Sequence, residues 1–391
     1  MKLLSKLGLS ESEQKTVKKV SLYSSGACAL IILLFWITSL FSLGSTNTDH
    51  KGFGPKLPLS KPELTSLDIE AHEFASKRYL QSGRPEKAIP HLQRILVSRK
   101  DDRGTLKQLA QAHLECGHFK QALSTIDYLF SQNEDSLSAF LYARKGAALY
   151  YMGQYAQSEA VLKKGLENFP GDPEILCFLG QVEVARGVPS SKAESLFLQA
   201  LESDSTYSEA RYQLARYYES LEEYLKARKL LLEVLRTEPL HVRSHSRLGM
   251  IYYYLGNGDL ALKSYQTALA LNPEDYNTRF NLGELFYTFY KDNRNALRQF
   301  TLALKINPAH SEANFKCGLI CLENNMIKEA IRYFEASLNT DRRNTRKMLQ
   351  LAAACERLGN RRKALKIYGQ ITEIDPLHTI ATQKIRLLTV N

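Results

Sequence analysis

The chain has 391 residues, 24% of them charged and 44% hydrophobic, and a formal net charge of +11. A chain of this length makes about two or three ordinary domains or one long repeat array, and its six cysteines do not form a disulfide framework. The basic excess favours anionic partners without specifying them.

Residues 1–19 form a basic lead with Lys2, Lys6, Lys15, Lys18 and Lys19. From Val20 to Thr48 there is no charged residue, and 20–43 is predicted to be a transmembrane helix. Leu22 to Leu43 as a helix reaches about 33 Å, enough for a hydrocarbon core of roughly 30 Å. A cleaved signal peptide fits less well, because the lead is long and Ser42 and Gly44 make a poor cleavage site. Lysines before the span outnumber Lys51, Lys56 and Lys61 after it, which places the remainder outside the cytoplasm by the positive-inside rule. Residues 44–66, rich in Gly, Pro and Lys, read as a flexible linker.

From 67 to 378 a small residue returns every 34 to 36 positions: Ser76, Ala110, Gly146, Gly180, Ala215, Gly249, Gly283, Gly318 and Ala352. Twelve or thirteen residues after each comes a second: Ala88, Ala122, Ser158, Ala193, Ala227, Ala261, Ala296, Ala330 and Ala364. Pro170, Pro239, Pro273, Pro308 and Pro376 follow in five units and end the second helix of a pair. This period predicts stacked helix pairs that approach closely at the small positions. Two units, those of Ala193 and Ala296, carry one extra residue, which is expected in the turn between their helices. Residues 379–391 read as a capping helix.

With Leu248, Gly249, Tyr252, Gly256, Ala261, Tyr265, Ala268 and Pro273 in its clearest unit, the chain resembles the tetratricopeptide repeat family. The resemblance implies an all-α, right-handed solenoid of about nine helix pairs, starting near 69, 103, 139, 173, 208, 242, 276, 311 and 345. It also implies that the first helix of each pair lines a concave face. The aromatics at those positions are Phe140, Tyr150, Tyr151, Tyr212, Tyr253, Tyr254, Phe280, Tyr287 and Phe315. They are the expected wall of a groove for a partner peptide or protein; packing among the helices is the alternative for the same residues. The family's chaperone-tail clamp is not reproduced: Lys107 fits its start, but Gln111, Arg144, Glu174 and Phe178 follow where Asn, Asn, Lys and Arg belong.

A second candidate surface is a basic patch of Arg342, Arg343, Arg346, Lys347, Arg361, Arg362 and Lys363, suited to an anionic partner; a solvated end of a basic protein explains the same run. Nucleic acid is disfavoured because base-stacking motifs are missing. No catalytic motif, cofactor loop or metal site is read: Cys317 and Cys321, and likewise His241 and His245, are four apart but lack further ligands. Cys317, Cys321 and Cys355 read as buried small hydrophobes, and His241 and His245 as surface residues. The expectation is a non-enzymatic scaffold resembling bacterial membrane-anchored repeat proteins, single-pass in the inner membrane with its array in the periplasm, serving envelope assembly or regulation. The alternatives are an organelle-membrane receptor with cytosolic repeats and a non-catalytic subunit of a membrane enzyme complex.

Overall fold

The structure is a computed structural model that describes residues 65–132, 138–187 and 191–390. The predicted span 20–43, its lead and nearly all of the linker lie outside these residues. Among the described residues no helix is long and apolar enough to cross a membrane.

The pairs follow in chain order: α1 (Ser66–Gln81) and α2 (Pro85–Ser98), α3 (Arg103–Glu115) and α4 (Phe119–Gln132), α5 (Ala139–Tyr151) and α6 (Tyr155–Asn168), α7 (Pro173–Ala185) and α8 (Ser191–Ser203). Then come α9 (Ser208–Ser220) and α10 (Tyr224–Thr237), α11 (Val242–Tyr254) and α12 (Gly258–Leu271), α13 (Tyr276–Glu284) and α14 (Asn293–Ile306). The last two pairs are α15 (Ser311–Glu323) and α16 (Ile327–Leu338), and α17 (Thr345–Arg357) and α18 (Arg361–Ile374), with α19 (Thr379–Val390) behind them.

In the five pairs whose first small residue is glycine, a large side chain of the second helix is seated on it. A Cβ built on Gly180 would lie 2.6 Å from the Phe197 ring, and one on Gly249 would lie 2.5 Å from that of Tyr265. Leu162, Phe300 and Phe334 fill the same notch over Gly146, Gly283 and Gly318. These side chains are fully buried, so the recurrent glycine follows from the size of its partner.

Each helix packs on its neighbours in sequence, and first helices also touch across repeats: α3 with α5, α5 with α7, α7 with α9, and α15 with α17. Second helices of successive repeats have no comparable packing among the described residues. First helices therefore crowd together on an inner wall while second helices spread apart outside, as stacked pairs with a small relative rotation must.

The seventh repeat departs from expectation. Its extra residue is not in the turn but inside the first helix, where Leu285–Phe289 forms a π-helical turn and the Tyr290 N–H donates to the Leu285 carbonyl at 3.2 Å. The intervening turn keeps the three residues found in repeats without an insertion. An inserted residue in a packed helix is accommodated by widening one turn, which preserves the contacts on either side.

Cys177, Cys317, Cys321 and Cys355 are buried, and burial pushes the Cys317 thiol up to about 12. Among the described residues no three His, Cys, Asp or Glu side chains converge as metal ligands would.

Candidate functional site

The inner wall alternates aromatic rings with ion pairs that join one repeat to the next. Arg144 of α5 reaches Glu174 of α7 at 2.6 Å, Glu209 of α9 reaches Arg243 of α11 at 2.6 Å, and Glu284 of α13 reaches Lys316 of α15 at 2.7 Å. Glu219 and Arg247 form a further cross-repeat pair at 2.9 Å. These charges are partly hydrated, so each pair contributes about 0.2–1 kcal/mol.

Three of these cations also lie over a ring of the wall. Arg144 is 4.9 Å from the Phe140 centroid, Arg243 is 4.5 Å from Tyr212, and Lys316 is 5.2 Å from Tyr287. A cation over an aromatic face gains from the ring quadrupole and removes that face from water. Sequence reading singled out the rings and missed the charges above them. The legible signal was spacing: Glu209 and Arg243 are 34 residues apart, one repeat.

The nine predicted aromatics divide accordingly. Tyr151 and Tyr254 are 52% and 55% exposed and offer open ring surface. Each stacks by its other face on the first residue of a second helix one repeat back, Tyr151 on Phe119 at 5.1 Å and Tyr254 on Tyr224 at 5.0 Å. Phe140, Tyr150, Tyr253, Phe280 and Tyr287 are half-buried. Tyr253 bonds Thr288 through its hydroxyl at 3.0 Å, Phe280 packs on His310, and Tyr287 donates to Glu323 at 2.8 Å. Tyr212 and Phe315 are corrections: at 4% and 1% exposure they are core side chains roofed by Arg243 and Arg346, with no open face for a peptide. Phe289, which sequence reading passed over, is the counterpart of Tyr254, because the π turn moves every later residue of the helix by one place. It is 45% exposed and rests on Gly258, where a Cβ would meet its ring at 2.3 Å.

Burial raises the phenol pKa of Tyr150 and Tyr151, although half of Tyr151 meets water. Burial also raises the Glu174 and Glu219 carboxyls, against the opposing pull of Arg144 and Arg247. Near the start of the wall a recess of about 460 Å³ is lined by Leu80, Lys107, Gln108, Gln111, Glu115 and Phe140.

The basic patch resolves into two groups. Arg342 and Arg343 lie in the turn before α17 and Arg346 in its first turn, whereas Arg361, Arg362 and Lys363 lie beyond its other end. The 13 residues of α17 separate them by about 20 Å. Lys347 does not belong to either surface: it is 3% exposed and paired with Glu312 at 2.6 Å. Arg361 donates to the Leu388 carbonyl and Lys363 pairs with Glu335, which leaves Arg362 as the open member of the second group.

His241 is likewise not a surface residue but the N-cap of α11, its Nδ1 accepting from the Ser244 N–H at 3.3 Å; His310 caps α15 in the same way from the Ala313 N–H at 3.1 Å.

Family comparisons agree with this architecture. A tetratricopeptide repeat profile matches residues 242–275, and a second profile of the same description matches 143–207. Residues 143–207 and 242–275 are tetratricopeptide repeats. Tetratricopeptide repeats serve in protein–protein interaction and scaffolding, and their proteins are in general non-catalytic. Among curated proteins the chain is 25% identical over 263 residues to DnaJ homolog subfamily C member 7 homolog of Dictyostelium discoideum, covering 60% of this chain and 48% of that protein. It is 26% identical over 169 residues to Anaphase-promoting complex subunit 3 of Schizosaccharomyces pombe, covering 43% of this chain and 25% of the relative. The chain thus spans half or less of the length of these relatives. Among solved structures, the APC/C hetero-tetramer Cut9–Hcn1 superposes with a TM-score of 0.57 over 82% of this chain and 68% of that one, at 14% identity, a likeness of fold.

Proposed function

We propose that the protein captures a segment of another protein along its inner wall and holds it in place, without chemistry of its own. The observation that carries this is the pair Tyr151 and Tyr254, large rings half open to water and held by stacking on one face, on a wall whose neighbouring rings are covered by their own cations and ion pairs. Tyrosine gives a large contact area at low side-chain entropy cost, which suits a recognition surface. A photoreactive residue at Tyr254 is expected to form an adduct with the partner, and one at Lys164, exposed on α6, is not. Equal labelling from both positions would defeat the groove.

The uncharged run within 20–43 supports a further part of the proposal, a membrane tether for the array. We place that tether in a bacterial inner membrane with the repeats on the periplasmic side, where raising the local concentration of a bound partner lets modest affinity suffice. Labelling of Ser12→Cys and Ser45→Cys in a cysteine-free background decides the side, and release of the protein by alkaline carbonate defeats the tether. The similarity to Anaphase-promoting complex subunit 3 favours a second reading, a structural subunit of a larger assembly. Stable copurification with a stoichiometric partner distinguishes it from a receptor of isolated peptides.

A further inference from the structure

One arrangement on the inner wall is built twice and completed once. In the fifth and sixth repeats Glu209, Tyr212 and Arg243 form a closed set, the guanidinium over the ring at 4.5 Å and on the carboxylate at 2.6 Å. Three repeats further on, the same positions hold Glu312, Phe315 and Arg346. Arg346 again lies over its ring, at 5.1 Å. Its carboxylate has gone elsewhere.

The cause is the residue after the arginine. Where the sixth repeat has the buried Ser244, the ninth has Lys347. A buried ammonium must be paired, so Lys347 takes Glu312 at 2.6 Å, with Asp341 at 3.5 Å and the Ser311 hydroxyl at 2.7 Å. Arg346 is left exposed and has no ion pair among the described residues. Arg342 and Arg343, in the turn just before, are exposed and likewise have no ion pair among the described residues. Elsewhere on the wall Arg144 over Phe140 and Lys316 over Tyr287 each have their own glutamate.

From this gap we infer that the carboxy-terminal end of the groove is a subsite for an acidic side chain, Asp or Glu, of the segment bound there. The inference rests on the groove reading above and adds the chemistry of one position. The guanidinium is oriented by the ring beneath it, its fork matches a carboxylate, and Arg342 and Arg343 draw the same charge to the site.

The test uses the full-length protein and fluorescein-labelled tetraglutamate, followed by anisotropy at low salt, with tetraglutamine and a phosphoserine tetrapeptide alongside. Tetraglutamate binding is expected to fall by about tenfold or more in Arg346→Gln and by less in Arg346→Lys, which keeps the charge without the fork. Lys347→Ser should also weaken binding, because it frees Glu312 to close on Arg346. If that variant loses helical content, the two Arg346 substitutions decide alone. Arg362→Gln, beyond the other end of α17, should leave binding unchanged. Undiminished binding in Arg346→Gln, or an equal loss in Arg362→Gln, would reveal only a diffuse basic field and overturn the subsite. Much tighter binding of the phosphoserine peptide would reassign it to phosphoryl groups. If tetraglutamate fails to bind at all, the subsite falls while crosslinking from Tyr254 still tests the groove.

Discussion

The sixth and seventh repeats obey one motif and differ in length by a single residue. In the sixth, α11 runs unbroken to Tyr254, its turn passes through Gly256 at φ +73°, and its cap is His241. In the seventh the helix widens into a π turn, the corresponding turn residue is Lys291 at φ +55°, and the cap is Asp275. The buried seats are nonetheless alike, Tyr265 on Gly249 and Phe300 on Gly283. The lesson is that packing between the helices fixes the repeat, while caps, turns and helix ends absorb variation.

The largest effect should come from the feature the two repeats share. Leucine at Gly249 or Gly283 cannot fit beside a fully buried ring, and each substitution is expected to cost about 3 kcal/mol in chemical denaturation, with the damage concentrated in adjacent repeats. A large difference between the two would show that the π turn relieves crowding at Gly283. Next comes the turn residue, where the backbone is left-handed in both. Gly256→Ala should destabilise by about 1–2 kcal/mol, whereas Lys291→Gly should stabilise by about 0.5–1 kcal/mol, opposite signs at one position. The same sign in both would mean that φ does not govern the site.

The smallest effect separates the caps by pH. Burial lowers the His241 pKa below its ordinary 6.5, assisted by Arg243 and opposed by Glu238 and Glu209. The unfolded chain then binds the proton more readily than the folded one, so this cap's stabilisation is present above pH 6.5 and is lost as pH falls through the lower folded value. Glu174 and Glu219 act in the opposite sense, since a raised carboxyl favours the folded state as pH falls. His241→Asn keeps an acceptor at the cap and should flatten the acid-side decline by about 0.5 kcal/mol between pH 7 and pH 5. An unchanged slope in melting temperature would place the decline elsewhere.

Much of this was legible in the chain. The paired small residues gave the helix pairs because their spacing reflects direct contact, as Gly180 with Phe197 shows. The π turn was not legible, since an insertion count does not say whether a turn or a helix takes up the residue, and Tyr287 was labelled accordingly. The wall was half legible. Motif positions located its rings, but the burial of Tyr212 and Phe315 depends on cations contributed by the following repeat, a contact across sequence that no single unit displays. Lys347 was misread for the same reason: a lysine in a basic run reads as solvated until its burial beside Glu312 is seen.

The ion pairs between first helices have a mechanical side. They stitch the crowded side of the array at several points, whereas among the described residues a single ion pair, Lys363 with Glu335, joins second helices of successive repeats. Such a rod is springy in one sense: straightening it must lengthen the stitches, and salt that screens them should let it uncurl. The reach of the protein would then vary with the ionic strength of the compartment it works in.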